Sequence, residues 1–286
     1  MPASRTYSED MNRRSFALPR VARGSLASLL GMLAAVATMP ARIEAAELVK
    51  AKDGSGYFGY KDTPKLPWCG WLVHDPDRPG PKRVVPGPAG LPVPPPADAI
   101  VLFDGKDASA WQPLNDWKIE GGSLIAGNAK LSTREQFGDL QLHLEWQSPA
   151  DYQGPWSNHG NNGVFLMGRY EIQIFDSNIE KIYPDGACGA IYGQTPPRFE
   201  ATRAPGEWQT YDIVFIAPRF EGQRLVAPAR VTVFLNGILV QHDEEIHGET
   251  GHRILPVYKD KVNTGPLAFG GHGCAIKFRD IWLRRL

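Results

Sequence analysis

The sequence contains little cysteine, carries no net charge and has no long apolar run. Its 286 residues include three cysteines, and 31 basic side chains are balanced by 31 acidic ones. A balanced charge provides no field that would attract nucleic acid, so we expect no nucleic-acid partner. Cys69, Cys188 and Cys274 lack the spacing of a metal site. They fit either small buried residues or one disulfide with a thiol left over.

Helical periodicity and nucleotide-binding loops are also missing. Beyond residue 46, no segment repeats apolar residues at a helical spacing, and no phosphate loop or dinucleotide fingerprint is present. We therefore expect no nucleotide cofactor. The abundant residues are instead glycine (30), proline (25) and tryptophan (8). This composition favours turns, strands and stacking surfaces over helix bundles.

The first 46 residues differ from the rest of the chain. Residues 12–18 carry paired arginines before an apolar residue, residues 24–39 are weakly apolar, and residues 41–46 are rich in alanine. This order predicts a twin-arginine-type export signal at 1–46 and a periplasmic or secreted protein. The alternative is a membrane anchor, but a spanning helix needs about 20 strongly apolar residues. We therefore expect no stable membrane insertion.

Residues 47–97 are rich in proline. Nine prolines lie between Pro76 and Pro96, and this density excludes a central strand or a helix because proline removes a hydrogen-bond donor. The stretch could be a solvated linker or an extended arm wrapped on the domain. Trp68 and Trp71 favour the arm, since linkers seldom carry two tryptophans. We call residues 47–97 the arm.

From residue 100 onward the pattern is that of short strands. Residues 140–146 alternate between apolar and polar side chains, and residues 163–176 read as two strands joined by a turn at 167–169. Asn236-Gly237 predicts a hairpin turn. In the last predicted strand, 276–283, the apolar set changes phase, which indicates a β-bulge at Arg279 and Asp280. These features predict an all-β sandwich or barrel.

Motifs spread over residues 98–286 resemble the 3-keto-disaccharide hydrolase family. They are residues 102–106 with Trp111, then 161–174, 183–186, 189–192, 205–209, 236–237 and 248–252, and finally 265–267, His272 and 278–281. The resemblance implies a concanavalin-like jelly-roll β-sandwich of two antiparallel sheets over 98–286. It also implies action on carbohydrates or glycosides oxidised at C3, with a separate sugar 3-oxidoreductase that makes the substrate.

The implied reaction determines which groups the site needs. A carbonyl at C3 acidifies the hydrogen on C2, a base removes that hydrogen, and the group on C1 leaves by β-elimination. Water can then add back, so that the net reaction is hydrolysis. The site therefore needs a base, a group that stabilises the enolate oxygen and an acid for the leaving group.

Two glutamates are the leading catalytic candidates. Glu145 and Glu171 each lie on the polar face of an otherwise apolar strand, and each could instead be a solvent-facing side chain. His143 shares the face of Glu145, so Glu145, Glu171 and His143 form a predicted ligand set for a divalent metal ion. His143 could equally contact substrate or be a surface histidine.

His272 and Arg279 complete the predicted catalytic group. His272 follows two glycines and matches the family histidine, so it could be a ligand, an acid or a base. Arg279 could stabilise an enolate at the predicted bulge or pair with Asp280. We expect Glu145, Glu171 and His272 to share one cavity.

Further residues are predicted to bind the sugar. Asn161 and Gln173 could hydrogen-bond hydroxyl groups, and Tyr192 and Trp208 could stack on the ring, although turn residues and aromatic core would look the same. Residues 241–264 carry several histidines and glutamates, but their spacing favours a polar loop over the binding face rather than a metal site.

Two other functions fit the same residues. A non-catalytic, lectin-like module would use the same fold to bind sugar. An ordinary glycosidase would need two carboxyl groups about 5–10 Å apart, which Glu145 and Glu171 could supply.

Overall fold

The computed structural model describes residues 47–92 and 94–286, so the predicted export signal lies outside the described residues. Within them, no helix is long and apolar enough to cross a membrane. Short 3₁₀ helices lie at Trp156–Asn158 and Pro184–Gly186. The strands are β1 (Val49–Lys50), β2 (Phe58–Gly59), β3 (Lys82–Arg83), β4 (Ile100–Phe103), β5 (Lys118–Glu120), β6 (Ser123–Ile125), β7 (Leu131–Phe137), β8 (Leu140–Gln147), β9 (Asn162–Leu166), β10 (Tyr170–Ile174), β11 (Phe199–Glu200), β12 (Gln209–Ile216), β13 (Arg219–Glu221), β14 (Arg224–Ala227), β15 (Ala229–Leu235), β16 (Ile238–Ile246), β17 (Gly265–Phe269) and β18 (Lys277–Arg285).

Two antiparallel sheets form the main body of the protein. The larger sheet has the strand order β16-β15-β12-β8-β18-β6-β5, with β4 paired to β18, and the smaller has the order β10-β9-β17-β7. Apolar side chains from both sheets, such as Leu144 of β8 and Ile172 of β10, belong to one buried core. The predicted all-β sandwich of two antiparallel sheets is confirmed.

The alternation predicted for residues 140–146 is that of β8. Leu140, Leu142, Leu144 and Trp146 are buried in the core between the sheets. His143 points to the opposite side, yet it is buried as well, because Trp282 stacks on its ring at a centroid distance of 4.9 Å. Side chains from neighbouring strands therefore cover the outer face of the larger sheet at this position.

The predicted turns and the bulge are present. Asn236 and Gly237 connect β15 to β16 with φ values of 54° and 78°, the left-handed backbone that an Asn-Gly hairpin requires. Met167 and Gly168 have φ values of 52° and 72° between β9 and β10. The pairing of β18 with β8 shifts register between Arg279 and Trp282, which places an extra residue at the predicted bulge.

The arm packs against the sandwich through buried polar contacts. The backbone N–H of His74 donates to Asp185 Oδ2 at 2.9 Å, and His74 Nδ1 lies 3.1 Å from Asp185 Oδ1. Both side chains are fully buried. Arg78 Nη1 donates to the carbonyl of Gln194 at 2.8 Å. A short parallel pairing of β3 with β11 adds a second attachment. The three cysteines are unpaired.

We expect Asp185→Asn to lower the free energy of unfolding by about 3 kcal/mol, because the change removes the charge from a buried pair and disturbs the attachment of the arm. Urea unfolding of the purified protein measures this. Glu221→Gln is the matched control, since the Glu221–Arg224 pair is exposed and such pairs contribute little. Equal stability of Asp185→Asn and wild type would show that the pair does not hold the arm.

Candidate active site on the smaller sheet

A cavity of about 600 Å³ lies on the outer face of the smaller sheet, and we call it the β10 cavity. Its floor is formed by β9 and β10. Its walls include residues 182, 183 and 192, residues 250–252, and Leu48 and Tyr60 of the arm. Five predicted site residues line this cavity: Asn161, Glu171, Gln173, Tyr192 and His272.

Glu171 is the second residue of β10, and both its backbone N–H and its carbonyl are hydrogen-bonded. Its N–H donates to Thr250 Oγ1 at 3.0 Å, and its carbonyl accepts from the N–H of Tyr192 at 3.1 Å. The side chain is only 7% exposed. The Gln173 amide is satisfied when its nitrogen faces Glu171 Oε1 at 3.2 Å and the carbonyl of Asn162 at 2.7 Å, and it then donates to both. Burial and this contact with Gln173 hold the carboxyl group in the β10 cavity.

Burial sets the acidity of this carboxyl group. It raises the pKa of Glu171 to about 8, while the positive charge of Lys130 acts in the opposite direction. Lys130 itself lies over the ring of Phe165, with its Nζ 3.6 Å from the ring centroid. A carboxyl group with a pKa near neutral pH can both accept and donate a proton under physiological conditions, as general acid–base catalysis requires.

Gly163 provides the space that the Glu171 side chain occupies. Gly163 pairs with Gln173 across the β9–β10 ladder, diagonal to Glu171. A Cβ atom at position 163 would lie 2.2 Å from Glu171 Oε1. The glycine in the motif of residues 161–163 is therefore required by the position of the carboxyl group rather than by backbone strain.

We expect Gly163→Ala to reduce turnover at least tenfold, because the added methyl group displaces the Glu171 carboxyl group and the buried surroundings leave it little room. Steady-state kinetics measure this. Gly90→Ala is the control, since a Cβ at position 90 would meet open space. Unchanged turnover of Gly163→Ala in a folded protein would mean that the position of Glu171 is unimportant.

A chain of hydrogen-bonding groups forms one wall of the cavity. The hydroxyl groups of Tyr183 and Tyr192 are 2.7 Å apart, and that of Tyr192 lies 3.0 Å from His252 Nδ1. Burial, helped by His74 and Arg253, lowers the pKa of His252 to about 4. The imidazole is therefore neutral at physiological pH. If Tyr192 donates to Nδ1, the proton of His252 lies on Nε2, where it can be donated to a ligand.

The other histidine of the cavity, His272, lies after β17. Its carbonyl accepts a hydrogen bond from the Asn158 amide, and partial burial lowers its pKa. Asn161 donates to the carbonyl of Ser157 at 2.9 Å, so its side chain also holds the turn before β9. These contacts hold His272, Ser157 and Asn161, all of which line the cavity.

The prediction that Glu145, Glu171 and His272 share one cavity is wrong. Glu145 belongs to β8 of the larger sheet and Glu171 to β10 of the smaller sheet. Both point away from the common core, so they lie on opposite sides of the sandwich. Glu145 is paired with Arg279, whose Nη2 lies 2.6 Å from Glu145 Oε2. The two glutamates therefore cannot act as the paired carboxyl groups of an ordinary glycosidase.

The other predicted residues of the larger sheet are also far from Glu171 in the fold. The Arg279 guanidinium lies over the Trp208 ring at 3.9 Å, and both border a separate cavity of about 570 Å³. His143 Nδ1 lies 2.7 Å from Asp212 Oδ1. The structure thus places Arg279, Trp208 and His143 outside the β10 cavity, on the opposite face of the sandwich.

The predicted metal ligands are not brought together. His143 and Glu145 lie on the larger sheet and Glu171 on the smaller, so the three cannot coordinate one ion. Nowhere in residues 47–92 and 94–286 do three His, Cys, Asp or Glu side chains form a group that could hold a metal. The residues proposed as ligands therefore do not fit a metal ion.

Several cavity residues were missed by the sequence analysis. Tyr60 comes from the arm and carries no pattern that separates it from core aromatics, whereas Tyr183 was indicated only by the motif match at 183–186. His252 lies in the segment expected to be a polar loop over the binding face, and the structure places it there, although residues 241–246 belong to β16. The motif match at 248–252 was the available indication.

Comparisons with known proteins agree with this fold. A family model described as the 3-keto-alpha-glucoside-1,2-lyase-like domain matches residues 98–284. A crystal structure of a candidate glycosyl hydrolase from Parabacteroides distasonis ATCC 8503 is 35% identical, covers 78% of this chain and 100% of its own, and has a TM-score of 0.65.

Two further candidate glycosyl hydrolases from that organism are 19% and 23% identical, each with a TM-score of 0.49. Both cover 66% of this chain, and 94% and 99% of their own chains respectively. Among curated proteins, none matches at a significant level. The family and the 35% identical relative support a carbohydrate-active enzyme. This chain belongs to the family of proteins with a 3-keto-alpha-glucoside-1,2-lyase-like domain.

Proposed function

We propose that this protein is exported and cleaves 3-keto-glycosides by removing the proton at C2 and eliminating the group on C1. One observation carries the proposal: Glu171 lies buried in a cavity that His252 also lines, and burial raises the pKa of Glu171 to about 8. The family description, 3-keto-alpha-glucoside-1,2-lyase-like domain, supports this class of reaction.

In this proposal Glu171 is the base. Its ionised carboxylate takes the C2 proton, and the electrons of the C2–H bond form the enolate of the C3 ketone. A base with a pKa of about 8 is stronger than an ordinary carboxylate, yet a useful fraction is ionised near neutral pH. Gln173, which reaches Glu171 Oε1, orients the carboxylate.

His252 is the proposed donor to the enolate oxygen. Its lowered pKa keeps the imidazole neutral. In this proposal the Tyr192 hydroxyl, 3.0 Å away, donates to Nδ1 and so fixes the tautomer that has a proton on Nε2. A neutral imidazole can donate a hydrogen bond to a developing oxyanion without losing its proton. Collapse of the enolate then breaks the C1–O bond, and the leaving oxygen takes the proton held by Glu171. Water adds across C1 and C2 to give the free 3-keto sugar.

Incubation of the purified protein with 3-keto-glucosides and with their unoxidised parents tests the proposal. We expect release of the C1 group from the keto forms alone. Release from the parents as well would indicate an ordinary glycosidase. Binding of sugar without release from either would indicate a lectin-like module. In a parallel incubation, loss of release with EDTA would indicate a divalent metal held elsewhere than by Glu145, Glu171 and His143, which the fold keeps apart.

A further inference from the structure

The arm supplies part of the wall of the β10 cavity, although it lies outside the residues that the family model matches. Tyr60 lines the cavity, and its ring centroid lies 5.4 Å from that of His252 with the rings nearly perpendicular. The N–H of Tyr60 donates to the carbonyl of His74 at 2.9 Å. Since His74 is held by Asp185 in the sandwich, the position of Tyr60 is tied to the domain.

The Tyr60 side chain is further held by a neighbouring charge. The guanidinium of Arg253 lies over the Tyr60 ring at 4.6 Å. The same arginine pairs with Asp62 of the arm, with Arg253 Nη2 2.6 Å from Asp62 Oδ2. Arg253 thus connects the loop that carries His252 to the arm that carries Tyr60, and it fixes the ring beside the polar wall of the cavity.

A second aromatic side chain continues this wall. Trp156, in the short helix before β9, lines the cavity and packs against Phe58 of β2 with ring centroids 5.5 Å apart. Tyr60 and Trp156 are both half-buried, and both pack on a small apolar cluster that contains Tyr183 and Ile182. The arm therefore contributes one aromatic ring and supports another.

The cavity consequently has two chemically different walls. One is the wall of His252, together with the floor residues Glu171 and Gln173, and these are the groups proposed to act on the keto sugar. The other carries Tyr60, Trp156 and Ile182 and offers mainly apolar surface. A volume of about 600 Å³ is in the range that encloses a drug-sized ligand. A sugar ring at the polar wall leaves room for a flat group attached to C1.

We propose that Tyr60 and Trp156 form a leaving-group subsite that selects glycosides with an aromatic group on C1. This inference rests on the proposed function for the orientation of the sugar, and it goes further by naming the class of leaving group and the residues that select it. Aromatic side chains bind flat rings through offset-stacked and edge-to-face contacts, which a small alkyl group on C1 cannot make.

Calorimetric binding of two unoxidised sugars, phenyl glucoside and methyl glucoside, tests the subsite without depending on catalysis. We expect wild type to bind the phenyl compound about tenfold more tightly, which is the affinity equivalent of one or two aromatic contacts. Tyr60→Ala and Trp156→Ala should each reduce this preference to about twofold or less. Tyr60→Phe, which keeps the ring, should retain it.

Equal affinity of wild type for the two sugars, or a preference that both alanine variants keep, would overturn the subsite. Loss of affinity for both sugars to the same extent would also overturn it, since that result indicates general damage to the cavity. Thermal unfolding of each variant shows whether it is folded. A phenyl preference in a protein that releases nothing from 3-keto-glucosides would uphold the subsite and reject the proposed reaction.

Discussion

Glu171→Gln is expected to reduce turnover of a 3-keto-glucoside by about 10³-fold, within the range by which a positioned general base accelerates a reaction. Glutamine has nearly the same shape and can occupy the space over Gly163, but it cannot take the C2 proton. Substrate affinity should change far less than turnover, because the proton is transferred only in the transition state. Steady-state kinetics with separate kcat and KM values measure both effects.

Glu145→Gln is the matched control for this experiment. Glu145 is also a buried glutamate on a central strand, but it pairs with Arg279 on the opposite face of the sandwich. We expect it to keep turnover near that of wild type while lowering stability, because it leaves a partly buried arginine with a weaker partner. A Glu171→Gln variant as active as Glu145→Gln would exclude Glu171 as the base.

The pH dependence of the wild-type enzyme gives an independent test of the same residue. Only the ionised carboxylate is a base, so turnover should rise with pH and level off above about 8, the pKa of Glu171. The folded-state pKa lies above the ordinary value of 4.5. The folded protein therefore binds more protons than the unfolded chain between these values, and stability falls as pH rises through this window.

Glu171→Gln should remove that component of the pH dependence of stability. At pH 9 we expect the variant to be more stable than wild type by several kcal/mol, since it no longer buries a charge. Urea unfolding at pH 5 and pH 9 measures the difference.

The turnover experiment on wild type has its own contradicting outcome. A turnover profile that falls from pH 6 to 8 would indicate that the protonated carboxyl group is the active form.

His252→Ala is expected to reduce turnover by about 10²-fold, the effect of removing one hydrogen-bond donor from a developing oxyanion. Tyr192→Phe should have a smaller effect, about tenfold, because the imidazole remains but its tautomer is no longer fixed by the contact at 3.0 Å. The double variant should be little worse than His252→Ala alone, since both changes act through the same ring.

His247→Ala is the control for the histidine change. His247 lies five residues earlier in the same segment and stacks on Trp68 at a centroid distance of 3.7 Å, outside the β10 cavity. It should retain turnover close to wild type. If Tyr192→Phe and His252→Ala instead show independent effects that multiply, the two residues do not act as one unit.

Local patterns were sufficient to predict most of the fold. The alternation in residues 140–146, the Asn236-Gly237 turn and the phase change near Arg279 each depend on residues adjacent in sequence. Each therefore reports directly on backbone geometry. The sandwich follows from many such strands, because every one of them has an apolar face to bury.

The site was predicted best where one hairpin carries it, and Tyr192 and His272, which lie in other motifs, were also predicted and line the cavity. Asn161, Glu171 and Gln173 lie in one continuous motif that forms β9 and β10, so the sequence keeps them together. Glu145 was misplaced because strand alternation shows which face of a strand is polar but not to which sheet the strand belongs. The motif at 248–252 and its polar composition placed the loop of His252 over the binding face, but the arm reaches the cavity through long-range contacts that no local pattern reports.

Deuterium incorporation during one turnover in D₂O tests the central claim most directly. Elimination removes the hydrogen on C2, and the later addition of water replaces it from solvent, so the 3-keto sugar product should carry deuterium at C2. The hydrogen on C4 is also next to the ketone and serves as the internal control for uncatalysed exchange. The account predicts deuterium at C2 with the C4 hydrogen retained. Product that keeps its original hydrogen at C2 would show that the C1 bond breaks by direct displacement, which would contradict the role assigned to Glu171.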